Sequence, residues 1–145
     1  TKKEWPPLMK CIYCSGKTSV TNSRPTKTPN GTWRRRQCHS CGAIFTSREL
    51  ADLTASIVYA AHEAQLEPFS RDLLLTSVYE SCKHRPDAAL IAGPLTDTIV
   101  QKLLATAAAP SVIERKHLTN EVLGVLRHFD EYAARHYEAY FMKRA

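Results

Sequence analysis

The chain has 145 residues, of which 43% are hydrophobic and 23% charged, a composition that excludes a disordered chain and fits one ordinary domain or two small ones. It contains no apolar run long enough to span a membrane and does not open on a secretory signal, so the sequence predicts a cytosolic protein without a membrane partner. The net charge of +6 is uneven, because residues 1–50 hold ten basic and two acidic residues whereas residues 51–145 hold ten and twelve. The first third is therefore expected to meet a polyanion.

Two Cys-x-x-Cys pairs lie in this basic third, Cys11 with Cys14 and Cys38 with Cys41. In a reducing compartment, such cysteines are more often metal ligands or free thiols than disulfides. A thioredoxin-like redox motif would explain one pair but not two. Four soft thiolates suit tetrahedral Zn²⁺ and leave no coordination position for water, so the pairs predict a structural zinc site.

The segment between the pairs has the pattern of a β-hairpin. We predict strands over residues 18–24 and 32–37 and a third over 43–46. Asn30-Gly31 favours a tight turn, although prolines nearby indicate a connection longer than two residues. This layout is that of a zinc ribbon, in which the metal replaces the core that ~45 residues cannot supply.

Three consecutive arginines, Arg34 to Arg36, lie on the second predicted strand. Alternation along a strand places Arg34 and Arg36 on one face and Arg35 on the other. A solvated charged edge that prevents aggregation is one interpretation. Nucleic-acid binding is the favoured one, because arginine suits phosphates and guanine edges. The predicted contacts are Lys17, Arg24, Lys27, Trp33, Arg34, Arg35 and Arg36.

Helical periodicity takes over after Leu50. Residues 51–66 are ambiguous between helix and strand. The first long helix is predicted to begin after an N-cap at Ser70 and to end near residue 84. Gly93-Pro94 is predicted to open a second helix that ends near residue 109, and two more are predicted over about 114–129 and 130–142.

Several chemically reactive side chains have plain structural interpretations. Cys82 is predicted to be a packing residue, and His39 is not needed as a ligand where four cysteines complete the set. His128 and His136 lack a carboxylate partner at catalytic spacing. Without a Ser/His/Asp set, a glycine-rich phosphate loop or a paired acid motif, the chain is not expected to be an enzyme.

The order and spacing of these motifs resemble the NrdR family, the bacterial transcriptional regulators of ribonucleotide reductase operons. In the ribbon, the resemblance lies in Met9-Lys10-Cys11, Asn22-Ser23-Arg24, the arginine strand with its cysteine pair, and Phe45-Thr46-Ser47-x-Glu49. The second part is similar to the family's ATP-cone domain through Glu67-Pro68-Phe69, Arg85-Pro86 and Phe129-Asp130-Glu131-x-Ala133.

The resemblance implies an α+β protein with two domains. Residues 9–48 would form a DNA-binding β zinc ribbon, and residues 49–145 a mainly helical ATP-cone-like domain with a β-hairpin over 56–69 and about four helices. The second domain would serve nucleotide sensing, oligomerisation or both. Since Met9 matches the usual family start, residues 1–8 would be an extension. The resemblance also implies a homo-oligomer in the bacterial cytoplasm, associated with the nucleoid.

The predicted nucleotide site departs from the family. Two lysines that help hold nucleotide phosphates in the family align with Ala61 and Leu73. Each lost charge-assisted contact is worth about 1.5–3 kcal/mol, so ATP or dATP is expected to bind weakly or not at all unless other residues compensate. The predicted nucleotide contacts are Tyr59, His62, Glu67 and Arg71, with a plain surface charge as the alternative for Glu67.

The sequence therefore predicts a zinc-dependent DNA-binding repressor of ribonucleotide reductase genes, controlled by ATP- and dATP-dependent oligomerisation if the divergent cone still binds nucleotide. The alternative is a nucleotide-independent interaction module, in which the ribbon contacts nucleic acid or a protein and a degenerate cone is an oligomerisation scaffold. A third possibility is an accessory piece of ribonucleotide reductase.

Overall fold

The computed structural model describes residues 9–27, 30–62, 65–107 and 111–142. The chain divides into two compact units, which meet in sequence between Ala51 and Asp52. Antiparallel strands with four clustered cysteines precede a mainly helical region, which confirms the predicted α+β class. None of the helices in the described ranges combines the length and apolar character that a membrane span requires.

The first unit is built on an antiparallel sheet in which the second strand is central. Its strands are β1 (Thr18–Thr26), β2 (Gly31–Cys38) and β3 (Ile44–Leu50). β3 is longer than predicted and pairs with β2 as far as Leu50 opposite Gly31. A Cβ atom at Gly31 would lie 2.4 Å from the Glu49 carbonyl oxygen, so only glycine allows β3 this close.

The hairpin joining β1 and β2 has a longer connection than two residues, as predicted. The last pair of the ladder is Thr26 with Gly31, and residues 28 and 29 of the connection lie outside the described ranges. A bulge between Val20 and Asn22 shifts the register, so that Asn22 faces Arg35 and Arg24 faces Trp33.

The second unit opens with a small mixed sheet in which β4 is central. Its strands are β4 (Val58–His62), β5 (Gln65–Pro68) and β6 (Val112–Glu114), with β6 parallel to β4. β4 and β5 form the hairpin that the family resemblance implied; residues 63 and 64 between them lie outside the described ranges. β6 was not predicted, because three residues whose partner strand lies far earlier in the chain leave no local pattern.

Helices form the rest of the second unit. They are α1 (Leu53–Ser56), α2 (Arg71–Ser81), α3 (Ala88–Thr106), α4 (Arg115–Phe129) and α5 (Glu131–Tyr137), which continues as a π-helical turn over Glu138–Met142. The Ser70 hydroxyl accepts a hydrogen bond from the Leu73 amide at 3.2 Å, which confirms the predicted N-cap of α2. The helix ends at Ser81, three residues before the predicted end.

The prediction that Gly93-Pro94 opens the second long helix was wrong. α3 begins at Ala88, and Pro94 lies within it. Ala88 and Ala92 are buried on the side that also buries Ile99, so packing extends the helix backward past the proline. Pro94 lacks the amide that would bond to the Leu90 carbonyl, but Leu90 is 80% exposed and water can serve that oxygen. α3 ends at Thr106, and residues 108–110, beyond it, are not described.

One hydrophobic core holds the second unit together. α4 and α5 begin within one residue of their predicted starts, with Asp130 as the N-cap of α5. Facing helices contribute side chains that are fully removed from water, among them Val78, Ile99, Leu103, Val122 and Leu126. The core therefore lies where α2, α3, α4 and α5 pack together.

Candidate metal centre and nucleic-acid interface

The sulfur atoms of Cys11, Cys14, Cys38 and Cys41 all lie within 4.8 Å of one another. Two cross-pair distances are 3.7 Å between the Cys11 and Cys41 Sγ atoms and 3.5 Å between those of Cys14 and Cys38. Zinc–sulfur bonds of ~2.3 Å in a tetrahedron place sulfurs about 3.8 Å apart, close to these separations. The two pairs therefore form one tetrahedral donor set rather than two independent sites.

Each cysteine pair lies in a tight turn that aims its sulfurs inward. In the first turn, the Cys11 amide donates to the Gly16 carbonyl at 2.9 Å, and in the second the Cys38 amide donates to the Ala43 carbonyl at 2.9 Å. Gly42 closes the second turn with φ of +71°, a conformation that favours glycine. Amides of Ser40 and Cys41 point at the Cys38 sulfur at 3.4 and 3.5 Å, as they would toward a bound thiolate.

The thiols of this cluster influence one another's ionisation. Hydrogen bonding from the Cys41 amide lowers the pKa of the Cys38 thiol to about 6. The Gly16 amide lowers the pKa of Cys14, but hydrogen bonds with Cys38 and Cys41 and some loss of hydration outweigh it and raise that pKa to about 12. Sulfurs this close do not all ionise by themselves, because each new thiolate repels the others. A divalent cation removes that repulsion, so the donor set fits Zn²⁺.

The four-sulfur set is closed and sits in the only small core of the ribbon's described residues. Cys11 and Cys38 are buried together with Phe45, while Cys14 and Cys41 are exposed. A zinc ion here would have four protein ligands and no position for a substrate, so its role is structural. His39 is exposed and is not part of the sulfur cluster.

The three consecutive arginines of β2 lie on different faces of the sheet. On one face, the Arg34 Nη2 atom lies 2.9 Å from a carboxylate oxygen of Glu49. Arg36 is only 9% exposed, and its Nε donates to the Ser47 hydroxyl at 2.8 Å. Both guanidinium groups therefore already have partners within the ribbon.

On the other face, the register brings three exposed arginines around a half-buried tryptophan. Trp33 lies opposite Arg24 on β1 and opposite Arg48 on β3, and Arg35 follows two residues along β2. No side-chain hydrogen bond or ion pair joins Arg24, Arg35 or Arg48 to any other residue in the described ranges. From the sequence, Arg48 was not predicted as a contact residue, because the third strand was predicted to end at residue 46.

The two predicted lysine contacts lie at opposite ends of the hairpin. Lys17 is exposed, pairs with Lys10 in an isolated bridge, and accepts the His39 amide at its carbonyl at 3.0 Å. Lys27 is exposed and directly follows β1.

The second unit has a cleft of about 230 Å³ between β5, α2, α4 and the C-terminal turn. Glu67 and Leu73 line it, together with a cation that sequence reasoning missed, Arg115. Arg115 Nη2 donates to the Phe141 carbonyl at 3.3 Å. Arg71 is bound to Asp97 instead, with its Nε 3.0 Å from the carboxylate. The side chains of the other two predicted nucleotide contacts, Tyr59 and His62, lie outside the described part of the structure.

A charged network joins the end of α2 to the start of α5. The Asp130 carboxylate lies 2.9 Å from the His84 Nε2 atom and 3.2 Å from the Arg85 Nη1 atom. Burial raises the pKa of Asp130, but hydrogen bonds from His84, the Ala133 amide and Arg85 outweigh it and hold the pKa below its ordinary value. The Arg85 guanidinium also lowers the pKa of Asp87 and lies over the Phe129 ring at 5.0 Å. The network therefore ties the end of α2 to the N-cap residue of α5.

A closed four-cysteine ribbon followed by a β-hairpin and a packed helical unit defines a zinc-ribbon protein whose second unit has a hydrophobic core of its own. Residues 9–49 match the family model described as "Transcriptional repressor NrdR-like, N-terminal domain". Over 124 residues, the chain is 35% identical to Transcriptional repressor NrdR of Symbiobacterium thermophilum, covering 84% of this chain and 79% of that one.

Two further relatives extend the match. The repressor of the same name from Sphingopyxis alaskensis is 36% identical over 86% of this chain and 79% of its own length. That from Beutenbergia cavernae is 36% identical over 86% of this chain and 71% of its own. The chain therefore belongs to the NrdR family. The relatives are named as repressors, which are regulators and not enzymes, in agreement with the prediction that the chain is not an enzyme.

Proposed function

We propose that this protein is a zinc-dependent, DNA-binding transcriptional repressor that acts in the bacterial cytoplasm. The observation that carries the proposal is the ribbon itself, in which a closed zinc site holds a strand of consecutive arginines in a chain of the NrdR family. The metal would supply rigidity, and the exposed arginines of the sheet, Arg35 among them, would supply the cations that a phosphate backbone requires. The basic excess of residues 1–50 supports the same partner.

The genes of ribonucleotide reductase are the proposed targets, through the family resemblance. The test is binding of the full chain to duplex DNA from promoters of such genes, measured by fluorescence anisotropy from about 50 to 200 mM salt. Preference for promoter over random duplex, a steep loss of affinity with salt, and abolition by zinc chelation are expected. Equal binding to both duplexes, with no effect of Arg35→Ala, would refute the regulator and leave an RNA or protein interaction module.

Nucleotide control is proposed through the cleft between β5, α2 and α4. Glu67 remains available there, and Arg115 places a positive charge beside it. Arg71 would have to leave Asp97 to contact a phosphate, which weakens its candidacy. With Leu73 where the family has a lysine, Arg115 is the one cation that lines the cleft among the described residues, so ATP and dATP are expected to bind weakly.

Calorimetry with ATP and dATP, together with mass photometry of the oligomer, tests this control. Weak binding that is lost in Arg115→Ala and retained in Arg127→Ala is expected, since Arg127 lies elsewhere on α4 and does not line the cleft. Binding that survives Arg115→Ala would assign the phosphates to other residues.

The second candidate is a nucleotide-independent scaffold, in which the cone only drives self-association. The apolar lining of the cleft favours it, since Leu73, Leu118 and Phe141 border the space where phosphates would need cations. A stable oligomer whose size does not respond to either nucleotide would support this candidate over the first. Oligomers would raise the apparent DNA affinity of a small ribbon by multivalent binding.

A further inference from the structure

One face of the ribbon sheet carries Arg24, Trp33, Arg35 and Arg48 and is here called the Trp33 face. We infer that this face, and not the opposite face with Arg34 and Arg36, contacts the DNA, and that Arg48 is a DNA-contacting residue. We further infer that the central strand, β2, faces the major groove, while β1 and β3 on either side contact the phosphates. The inference rests on the proposed DNA-binding function.

The available charge differs between the two faces. Arg24, Arg35 and Arg48 are exposed, and their guanidinium groups lack partners among the described residues. Strand register places no acidic residue on this face. A phosphate that binds here therefore displaces water and counterions only, which is the favourable exchange in DNA binding.

The opposite face offers less charge. Arg34 would have to leave the Glu49 carboxylate, 2.9 Å away, before it could bind a phosphate. Arg36 is buried and bonded to Ser47, so its role is to brace β2 against β3. A groove of about 500 Å³ does lie over this face, but Glu49 lines it and repels a phosphate; Arg48, on the edge strand, borders it as well.

The dimensions of the Trp33 face match a duplex. Neighbouring strands lie ~4.8 Å apart, so Arg24 on β1 and Arg48 on β3 are separated by about 10 Å across the sheet. A major groove is ~12 Å wide, so two such arginines can reach the phosphates on its two walls. The central strand then faces the groove, with Trp33 and Arg35 about 6.7 Å apart along it.

This arrangement assigns different tasks to the arginines. Arg35 can donate two hydrogen bonds to the O6 and N7 atoms of guanine, and Trp33 can contact the methyl group of a thymine. Arg24 and Arg48 contact a backbone that is the same for every sequence. Loss of Arg35 should therefore relax sequence preference, whereas loss of Arg24 or Arg48 should weaken binding to every duplex alike.

The test measures the salt dependence and sequence preference of the zinc-loaded full chain. The probes are a mixed-sequence duplex and a pool of duplexes with a randomised core, from which the wild-type protein selects its preferred bases. Arg48→Ala and Arg24→Ala are each expected to lower the slope of log K against log salt by about one, and Arg35→Ala to reduce discrimination about five- to hundredfold at one or two positions.

The matched control is the double variant Arg34→Gln with Glu49→Gln, which removes the ion pair of the opposite face without changing the net charge. It is expected to retain both slope and preference. Native mass spectrometry checks that every variant keeps its metal. A wild-type protein without salt-dependent DNA binding would refute the proposed function. If the wild-type protein binds DNA normally, but the double variant binds poorly and Arg48→Ala binds as the wild type does, the assignment of the Trp33 face is wrong while the proposed DNA-binding function stands.

Discussion

The two units of the chain are stabilised by different means. Among the described residues, the hydrophobic side chains that the ribbon buries are those of Cys11, Cys38 and Phe45 alone, and two of these three are metal ligands. The second unit buries a cluster of eighteen hydrophobic residues, drawn mainly from its helices. A unit with so little apolar surface out of water depends on its metal, whereas one with a continuous core folds by packing. The comparison predicts that loss of metal unfolds the ribbon and that loss of core packing unfolds the helical unit.

Zinc removal should produce the largest effect. Chelation or Cys38→Ser is expected to unfold the ribbon, because the four sulfurs are its main cross-links, and to leave the helical unit folded. Two-dimensional amide NMR measures both units at once: ribbon signals should collapse to unfolded positions while those of the helices stay.

Cys82→Ala is the matched control for this prediction. Cys82 is fully buried in the helical unit, and burial raises the pKa of its thiol, so it behaves as a packing residue. The variant should keep about one zinc per chain and lose stability only in the helical unit. A ribbon that stays folded without metal would contradict the contrast between the units.

Removal of a core side chain should have the next largest effect, confined to the other unit. Leu103 is fully buried, and Leu103→Ala is expected to lower the free energy of unfolding of the helical unit by about 2–5 kcal/mol. Its neighbour Leu104 is 42% exposed, so Leu104→Ala should have a clearly smaller effect. Urea denaturation followed by helical circular dichroism measures both, and metal content should not change in either variant.

Acid should destabilise the helical unit through Asp130. Its pKa lies below the ordinary value of 3.8, so its stabilisation is complete at a pH well above 3.8 and is lost as the pH falls through 3.8 toward the lowered folded-state pKa. Asp130→Asn can still cap α5 but carries no charge, and it is expected to lower stability at neutral pH by about 1–2 kcal/mol. The free energy of unfolding of this variant should also depend less on pH in the acid range. Asp87→Asn, at a more exposed partner of Arg85, should do less.

Sequence patterns were most informative where the chemistry is local. The cysteine spacing predicted the sulfur cluster, and Ser70 predicted the start of α2, because ligand turns and helix caps depend on residues a few positions apart. The third strand was predicted too short, which hid Arg48 opposite Trp33. The burial of Arg36 was equally hidden, since it depends on Ser47 across the sheet.

In the helical unit, tertiary packing overrode local signals. Gly93-Pro94 is a strong break pattern, yet burial of Ala88 and Ala92 carries α3 past it. β6 and the cleft cation Arg115 depend on elements that meet only after folding. The assignment of the ambiguous 51–66 segment came from the family resemblance, because its residues fit both helix and strand.

The smallest expected effect tests whether local stability is the same throughout the helical unit. Ser70→Ala removes the hydroxyl that caps α2, and a loss of about 1 kcal/mol is expected because α2 buries Leu74 and Val78 against the core. Asp52→Ala removes the equivalent bond to Ala55 at α1, which is four residues long and buries none of them. Its loss should open α1 alone and leave global unfolding unchanged. Amide hydrogen exchange separates the two cases, because a cap on a core helix protects amides across the unit, whereas a cap on a surface turn protects only its own.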